Sequence, residues 1–293
     1  MRSLDLEVLT APAAEVDAFL RRWLADRPLP ANLRGAVEYV FEGGGKRMRP
    51  LITMHAAAAV GTPTPDALAP AAAIELVHAF SLVHDDLPAM DDDDLRRGRP
   101  TLHKHTDEAM AILAGDLMFG LAFEIVASES SSPELSGRII AELASAANDM
   151  IAGQVYDTLP EFGPEVPEAE RLETVHSNKT GALIRCAARM GAIASGASAD
   201  ELAAITTYGE SIGLMFQVVD DLLDVTQTTE HLGKTAGKDL EQGKLTYPAV
   251  HGLDKSRAVV DELRERAHRA LEPFGPGADG LRGLCDWIAV RTR

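Results

Sequence analysis

Two groups of aspartates carry the clearest chemical signal. Asp85-Asp86-Leu87-Pro88-Ala89-Met90-Asp91 runs straight into Asp92, Asp93 and Asp94, and Asp220-Asp221-Leu222-Leu223-Asp224 stands far downstream. Asp is a poor residue for a helix interior, and acids at a helix C-terminus oppose its dipole, yet both groups close long apolar segments. Carboxylates about 5 Å apart, in an effective dielectric near 20, repel by roughly 3 kcal/mol per pair, so a cation must offset them. One acidic run alone reads as a solvated loop; the second cluster moves the reading to a metal site. Asp220 and Asp224 share a helix face at i, i+4. Asp85 and Asp91 would lie about 240° apart around a continuous helix, and Pro88 resolves this by breaking the helix and letting the chain fold back. A few hard oxygen ligands suit Mg²⁺, which completes its shell with water and phosphate. The lack of His and Cys in both clusters argues against zinc. A diphosphate is the ligand implied.

In a chain with 28 Lys+Arg against 45 Asp+Glu, clustered cations are informative. Gly43-Gly44-Gly45-Lys46-Arg47-Met48-Arg49-Pro50 sets basic residues just before a helix whose first residue is Pro50, and a helix N-terminus attracts anions. A P-loop would need Gly at position 40 and Ser or Thr at 47, where Val40 and Arg47 stand. Arg96-Arg97 follows the first acidic run, and Lys179-Thr180, Lys234, Lys238 and Lys244 lie in the second half. Arg suits bidentate phosphate contact and Lys point-charge contact. Two phosphate regions follow, one metal-bridged and one purely basic. His103-Lys104-His105 reads as surface loop.

Apolar residues recur every three to four positions, and bounded alternating runs are almost absent, so the chain is expected to be all-α. The helices are placed at Ala13–Ala25, Asn32–Phe41, Pro50–Val60, Asp66–Leu87, Asp107–Ser128, Glu134–Asp157, Glu168–Ala194, Ala199–Asp224, Thr246–Leu253, Ser256–Leu271 and Gly277–Val290. Prolines fall between these segments, no linker or short repeat divides them, and residues 1–293 are read as one domain, a single large bundle. The net charge of -17 argues against nucleic acid or anionic lipid as a partner. Two cysteines, Cys186 and Cys285, make no disulfide framework, and the N-terminus lacks a signal-like apolar stretch, so a cytoplasmic location is expected. The richest apolar stretch, Ala67–Val83, is interrupted by Glu75 and His78, so no membrane span is expected.

GGGKRMRP, HAFSLVHDDLPAMDDDDLRRGRPT, ILAGD, Lys179-Thr180, FQVVDDLLDV and GKTAGKDLEQGKLTYP, in that order, resemble the motifs of the trans-polyprenyl diphosphate synthases, most closely the bacterial farnesyl diphosphate synthases, over roughly Phe41 to Pro248. The C-terminal LRGLCDWIAVRTR is similar too. The resemblance implies mostly antiparallel helices around a central cavity, a homodimer, and two acidic motifs facing each other across the mouth. It implies that Asp85, Asp86, Asp91, Asp220 and Asp224 gather three Mg²⁺ ions on an allylic diphosphate, assisted by Arg96, Lys179, Thr180, Gln217, Lys234 and Lys244. It further implies that Lys46, Arg49, His78 and Arg97 hold isopentenyl diphosphate. The reaction implied is allylic ionisation, attack by the isopentenyl double bond, and proton loss. Lys179, Thr180 and Gln217 stand nearest the cation.

Ser81 lies one turn below Asp85, and Phe80 beside it. An aromatic at this place, with the longer first motif, implies a fifteen-carbon product in the family, with Phe80 as the pocket floor. Geranylgeranyl diphosphate synthase is the alternative; a class I terpene cyclase and a non-catalytic synthase subunit are the rivals outside that class.

Overall fold

The computed structural model describes residues 6–61, 65–226 and 245–291; Lys234, Lys238 and Lys244 lie outside them. The described residues fold into α1 (Leu6–Ala25), α2 (Ala31–Glu42), α3 (Met48–Val60), α4 (Leu68–Asp85), α5 (Leu102–His105), α6 (Glu108–Glu129) and α7 (Pro133–Thr158). Then come α8 (Glu168–His176), α9 (Ala182–Ala194), α10 (Ala199–Thr226), α11 (Tyr247–His251), α12 (Leu253–Ala270) and α13 (Asp279–Val290). The fold is all-α, as the periodicity demands.

Local chemistry accounts for several boundaries. Asp107 and Ser132 accept the amides of Met110 and Leu135 at 2.7 and 3.1 Å, satisfying donors that the first turns of α6 and α7 leave open. Helix α4 ends at Asp85 rather than at Leu87, because Pro88 disfavours helical geometry at the residue before it.

Three local features depart from the sequence reading. A two-stranded hairpin, β1 (Leu95–Arg96) and β2 (Arg99–Pro100), pairs Leu95 with Pro100 and Arg96 with Arg99. Its turn residues Arg97 and Gly98 sit at φ 54 and 75, the backbone of a type I′ turn. His103-Lys104-His105 is not surface loop: it lies in α5, where His103 is buried and the His105 ring stacks 3.8 Å from Tyr39. The single helix expected over Glu168–Ala194 is divided by a π-helical turn, Ser177–Gly181.

The buried apolar residues form one contiguous core. Helix α4 runs through it, and its buried Ala69, Ala71, Ala72 and Ala73 let α3 and α6 approach closely, since helix separation follows the size of the side chains in contact. Cys186 and Cys285 are free and buried; burial pushes the Cys186 thiol up, and Cys285 to about 12. Three segments, Pro65–Asp85, Glu108–Glu129 and Ala199–Thr226, are long and apolar enough to cross a membrane by length and composition. The criterion of an uninterrupted apolar run passes over them because each carries a few polar residues. In the fold they pack as helices of the bundle.

Candidate active site

Beyond α4 the chain turns back on itself. The Leu87 amide donates to the His84 carbonyl, Met90 to Leu87, and Asp91 to the Asp85 carbonyl at 2.8 Å. Asp85 and Asp91 are thereby brought together, as Pro88 led us to expect. Burial raises the Asp85 carboxyl from 3.8 to about 6, with Asp91 and Asp86 adding to the rise and Lys179 and Arg96 opposing it. Asp86 is buried and already engaged, because Arg96 Nε donates to both its oxygens at 2.9 Å and Nη2 to Oδ1 at 2.6 Å. As a metal ligand, Asp86 would have to exchange that partner.

Lys179 lies beside the first acidic group. It sits in the π-helical turn, donates from Nζ to Asp157 of α7 at 2.6 Å, and acts on the Asp85 carboxyl. Burial lowers His176 to about 4, while Asp157 and Asp220 on one side and Lys179 on the other also act on it. Asp157, Lys179 and Asp220 therefore share one electrostatic neighbourhood. The close seating of the turn on α7 requires Gly153: a Cβ there would stand 2.2 Å from the Lys179 amide nitrogen.

On α10, half-buried Gln217 lies one turn ahead of Asp220, while Asp221 and Asp224 are buried. Asp221 accepts the Tyr247 amide at 2.8 Å and lies 3.7 Å from His176, which fixes the start of α11. Arg291, just past α13, donates from Nη2 to Asp220 Oδ1 at 3.1 Å and to the Phe216 carbonyl at 2.9 Å, with its guanidinium 3.8 Å over the Phe216 ring.

The basic group assembles around α3 and the hairpin. Arg47, Arg49 and Arg97 act on the buried Glu75, Arg49 and Arg97 act on His78 as well, and Arg97 Nη1 donates to the Gly44 carbonyl. Burial lowers Arg49 to about 10. Burial, with Arg49 and its neighbours adding to it, holds His78 well below its ordinary value, so the ring is neutral at pH 7. Lys46 is exposed, its ammonium 5.2 Å from the Trp287 ring.

A cavity of about 450 Å³ opens beside Asp85, Lys179 and Arg49; Gln217, Asp220, Asp224, Lys46 and Arg97 are not among its walls. Arg49, His78, Asp85, Lys179 and Thr180 are among its polar lining residues, and Phe80, Met90, Met150, Ile151, Val155 and Leu159 among its apolar ones. Phe80 packs 4.9 Å from Phe119 of α6 and edge-on to His84 at 5.3 Å.

Sequence reasoning passed over Asp157, Arg291, Arg47 and Glu75. A glycine inside the long helix α7 was a signal for the first, because Gly costs about 1 kcal/mol there unless packing requires it. Arg47 reads as one of the clustered cations before α3 and not as an anchor, Glu75 as an interruption of an apolar stretch, and Arg291 only as part of the C-terminal motif.

A family model described as polyprenyl synthetase matches residues 30–272. Geranylgeranyl pyrophosphate synthase 11, chloroplastic, of Arabidopsis thaliana is 46% identical over 269 residues, covering 89% of this chain and 75% of its own length. The solved structure of an FPP/GFPP synthase from Zymomonas mobilis matches with a TM-score of 0.83 and 34% identity, covering 97% of this chain and 98% of that one. A polyprenyl synthase from Caulobacter crescentus, complexed with calcium and isoprenyl diphosphate, matches with a TM-score of 0.85 and 27% identity over 100% of both chains.

Proposed function

This chain belongs to the polyprenyl synthetase family of prenyltransferases, and we propose that it joins isopentenyl diphosphate head to tail to an allylic diphosphate, extending the product to twenty carbons. The observation that carries this reading is the 450 Å³ cavity. Its apolar walls suit a prenyl chain, and Asp85 of the acidic group and Arg49 of the basic group both line it.

Asp85, Asp91, Asp220 and Asp224, with Asp86 once released by Arg96, would hold Mg²⁺. The donor set fits: every candidate ligand is a carboxylate oxygen, and half-buried Asp85 stands beside Asp91 and Asp86, a repulsion that a cation would relieve. Among the described residues no three His, Cys, Asp or Glu side chains form a ready metal cage, so ions here need phosphate oxygens and water, a mode Mg²⁺ favours. When bound, the metal supplies positive charge to the leaving diphosphate as that group becomes anionic.

Lys179, held by Asp157, and Arg96 add fixed positive charge beside Asp85. Lys234 and Lys244 are assigned the same role from the sequence motif. Thr180 and Gln217 offer neutral oxygens that steady an allylic cation without capturing it. Lys46, Arg49, His78 and Arg97 receive the isopentenyl diphosphate, His78 as a neutral donor. The proton lost after carbon–carbon bond formation passes to the departing diphosphate.

The twenty-carbon product is favoured by geranylgeranyl synthases among the relatives. Phe80, backed by Phe119, favours a second reading in which elongation stops at fifteen. We read the chain as one domain and a homodimer, the latter supported by Ile112 and Leu113, large apolar residues that α6 exposes.

Mass spectrometry of products from isopentenyl diphosphate with dimethylallyl, geranyl or farnesyl diphosphate and Mg²⁺ tests the assignment. Geranylgeranyl diphosphate as end product supports the first reading, and farnesyl diphosphate the second. Release of a hydrocarbon with no use of isopentenyl diphosphate would reject both.

A further inference from the structure

The loop that carries Lys46 and Arg49 has a buried anchor to which the proposed reaction gives no part. Arg47 and Glu75 are 8% and 5% exposed. Arg47 Nη1 donates to Glu75 Oε1 and to the Gly44 carbonyl, both at 3.1 Å, Nε to Asp17 Oδ1 at 2.8 Å, and Nη2 to the Phe41 carbonyl at 3.0 Å. One guanidinium thus ties α1, the end of α2, the glycine loop and α4 together. Arg47 sits at φ 47, ψ 36, a left-handed conformation that costs a residue with a Cβ roughly 1–2 kcal/mol and persists only where surrounding contacts enforce it.

That conformation lies between Lys46 and Arg49 in the chain, so it sets the direction in which both side chains leave the loop. Glu75 also acts electrostatically on Arg49 and Arg97, and it shares the wall of a small cavity of about 60 Å³ with Arg47, His78 and Arg97. Arg97 and Arg47 bond the same Gly44 carbonyl.

We propose that the Arg47–Glu75 pair positions the receiving site for isopentenyl diphosphate: Arg47 locks the glycine loop, and Glu75 supplies the counter-charge that keeps neighbouring guanidiniums gathered before the diphosphate arrives. Neither residue needs to touch substrate. The proposal rests on the reading that Lys46, Arg49, His78 and Arg97 take the isopentenyl diphosphate.

The test is steady-state kinetics with both substrates, alongside thermal unfolding, on full-length Arg47→Lys and Glu75→Gln and on the double variant Arg47→Met with Glu75→Met. Breaking one side of a buried ion pair destabilises, whereas replacing both with apolar residues is often neutral, so the double variant keeps the question open where a single variant unfolds. The expected result is a KM for isopentenyl diphosphate raised about tenfold or more, with KM for dimethylallyl diphosphate within about twofold, persisting in a double variant of near wild-type Tm. An unchanged KM for isopentenyl diphosphate in the folded variants, equal rises in both KM values, or recovery of KM together with Tm in the double variant would overturn it. A wild-type protein that makes no prenyl product would reject the underlying reading, and the proposal with it, a result recognisable before any variant is made.

Discussion

The amide of Asp91 donates to the carbonyl of Asp85 at 2.8 Å, so two carboxylates that a continuous helix would send in different directions leave the backbone from adjacent points. Pro88 breaks the helix between them, and on the proposed reading the carboxylates so gathered receive cations.

Pro88→Ala restores an amide and removes the break at the end of α4. Turnover should fall roughly 10- to 100-fold, the scale of catalytic groups displaced by about 1 Å, while Tm changes little. Wild-type turnover in that variant would mean that the fold-back does not depend on the proline.

Asp85 gives a pH-dependent stability with a definite sign. Its carboxyl is raised from 3.8 to about 6, chiefly by burial, so the native state binds this proton more tightly than the unfolded chain does. The associated stability is complete below about pH 4 and lost as pH rises through about 6. Asp85→Asn carries no charge, and the metal-free variant should be more stable than wild type at pH 8, by at most about 3 kcal/mol. The gain should vanish below pH 4. Thermal unfolding against pH checks this, and a variant less stable than wild type at pH 8 contradicts it.

Phe80 and Phe119 form two aromatic layers beside the cavity. Phe80→Ala should shift products to longer chains, because each added isoprene unit buries about five carbons worth roughly 0.8 kcal/mol apiece and only a steric block stops growth. Chain-length analysis by mass spectrometry reads the result, and an unchanged distribution removes Phe80 from the floor.

Much of this was legible in the residues. The 3.6-residue period located the long helices, Pro88 announced the fold-back, and the two aspartate groups led to the site proposed for cations. The hairpin was hidden because its turn begins with Arg97 at φ 54, where a glycine would have signalled a type I′ turn. Every non-glycine residue with positive φ among the described residues, Arg47, Asp92 and Arg97, falls in the loops around the site, where distant contacts override local preference. Glu75 was unreadable for a similar reason: an acidic residue in an apolar helix looks like an interruption until the buried arginine opposite it is seen.

Asp157 holds Lys179 across 2.6 Å. Asp157→Asn keeps the shape and loses the charge-assisted bond, so turnover should fall about tenfold with KM for isopentenyl diphosphate nearly unchanged. Steady-state kinetics with each substrate varied checks this; a rise confined to that KM would place Lys179 with the basic group instead.

The central claim is that the segments 85–91 and 220–224 hold one diphosphate through divalent ions. Anomalous scattering from Mn²⁺ in crystals grown with a non-reactive allylic diphosphate analogue tests it most directly. The account predicts metal peaks that bridge the diphosphate to carboxylates from both segments, Asp85 and Asp91 on one side and Asp220 on the other. Metal on one segment alone, or a diphosphate seated away from both, would contradict it.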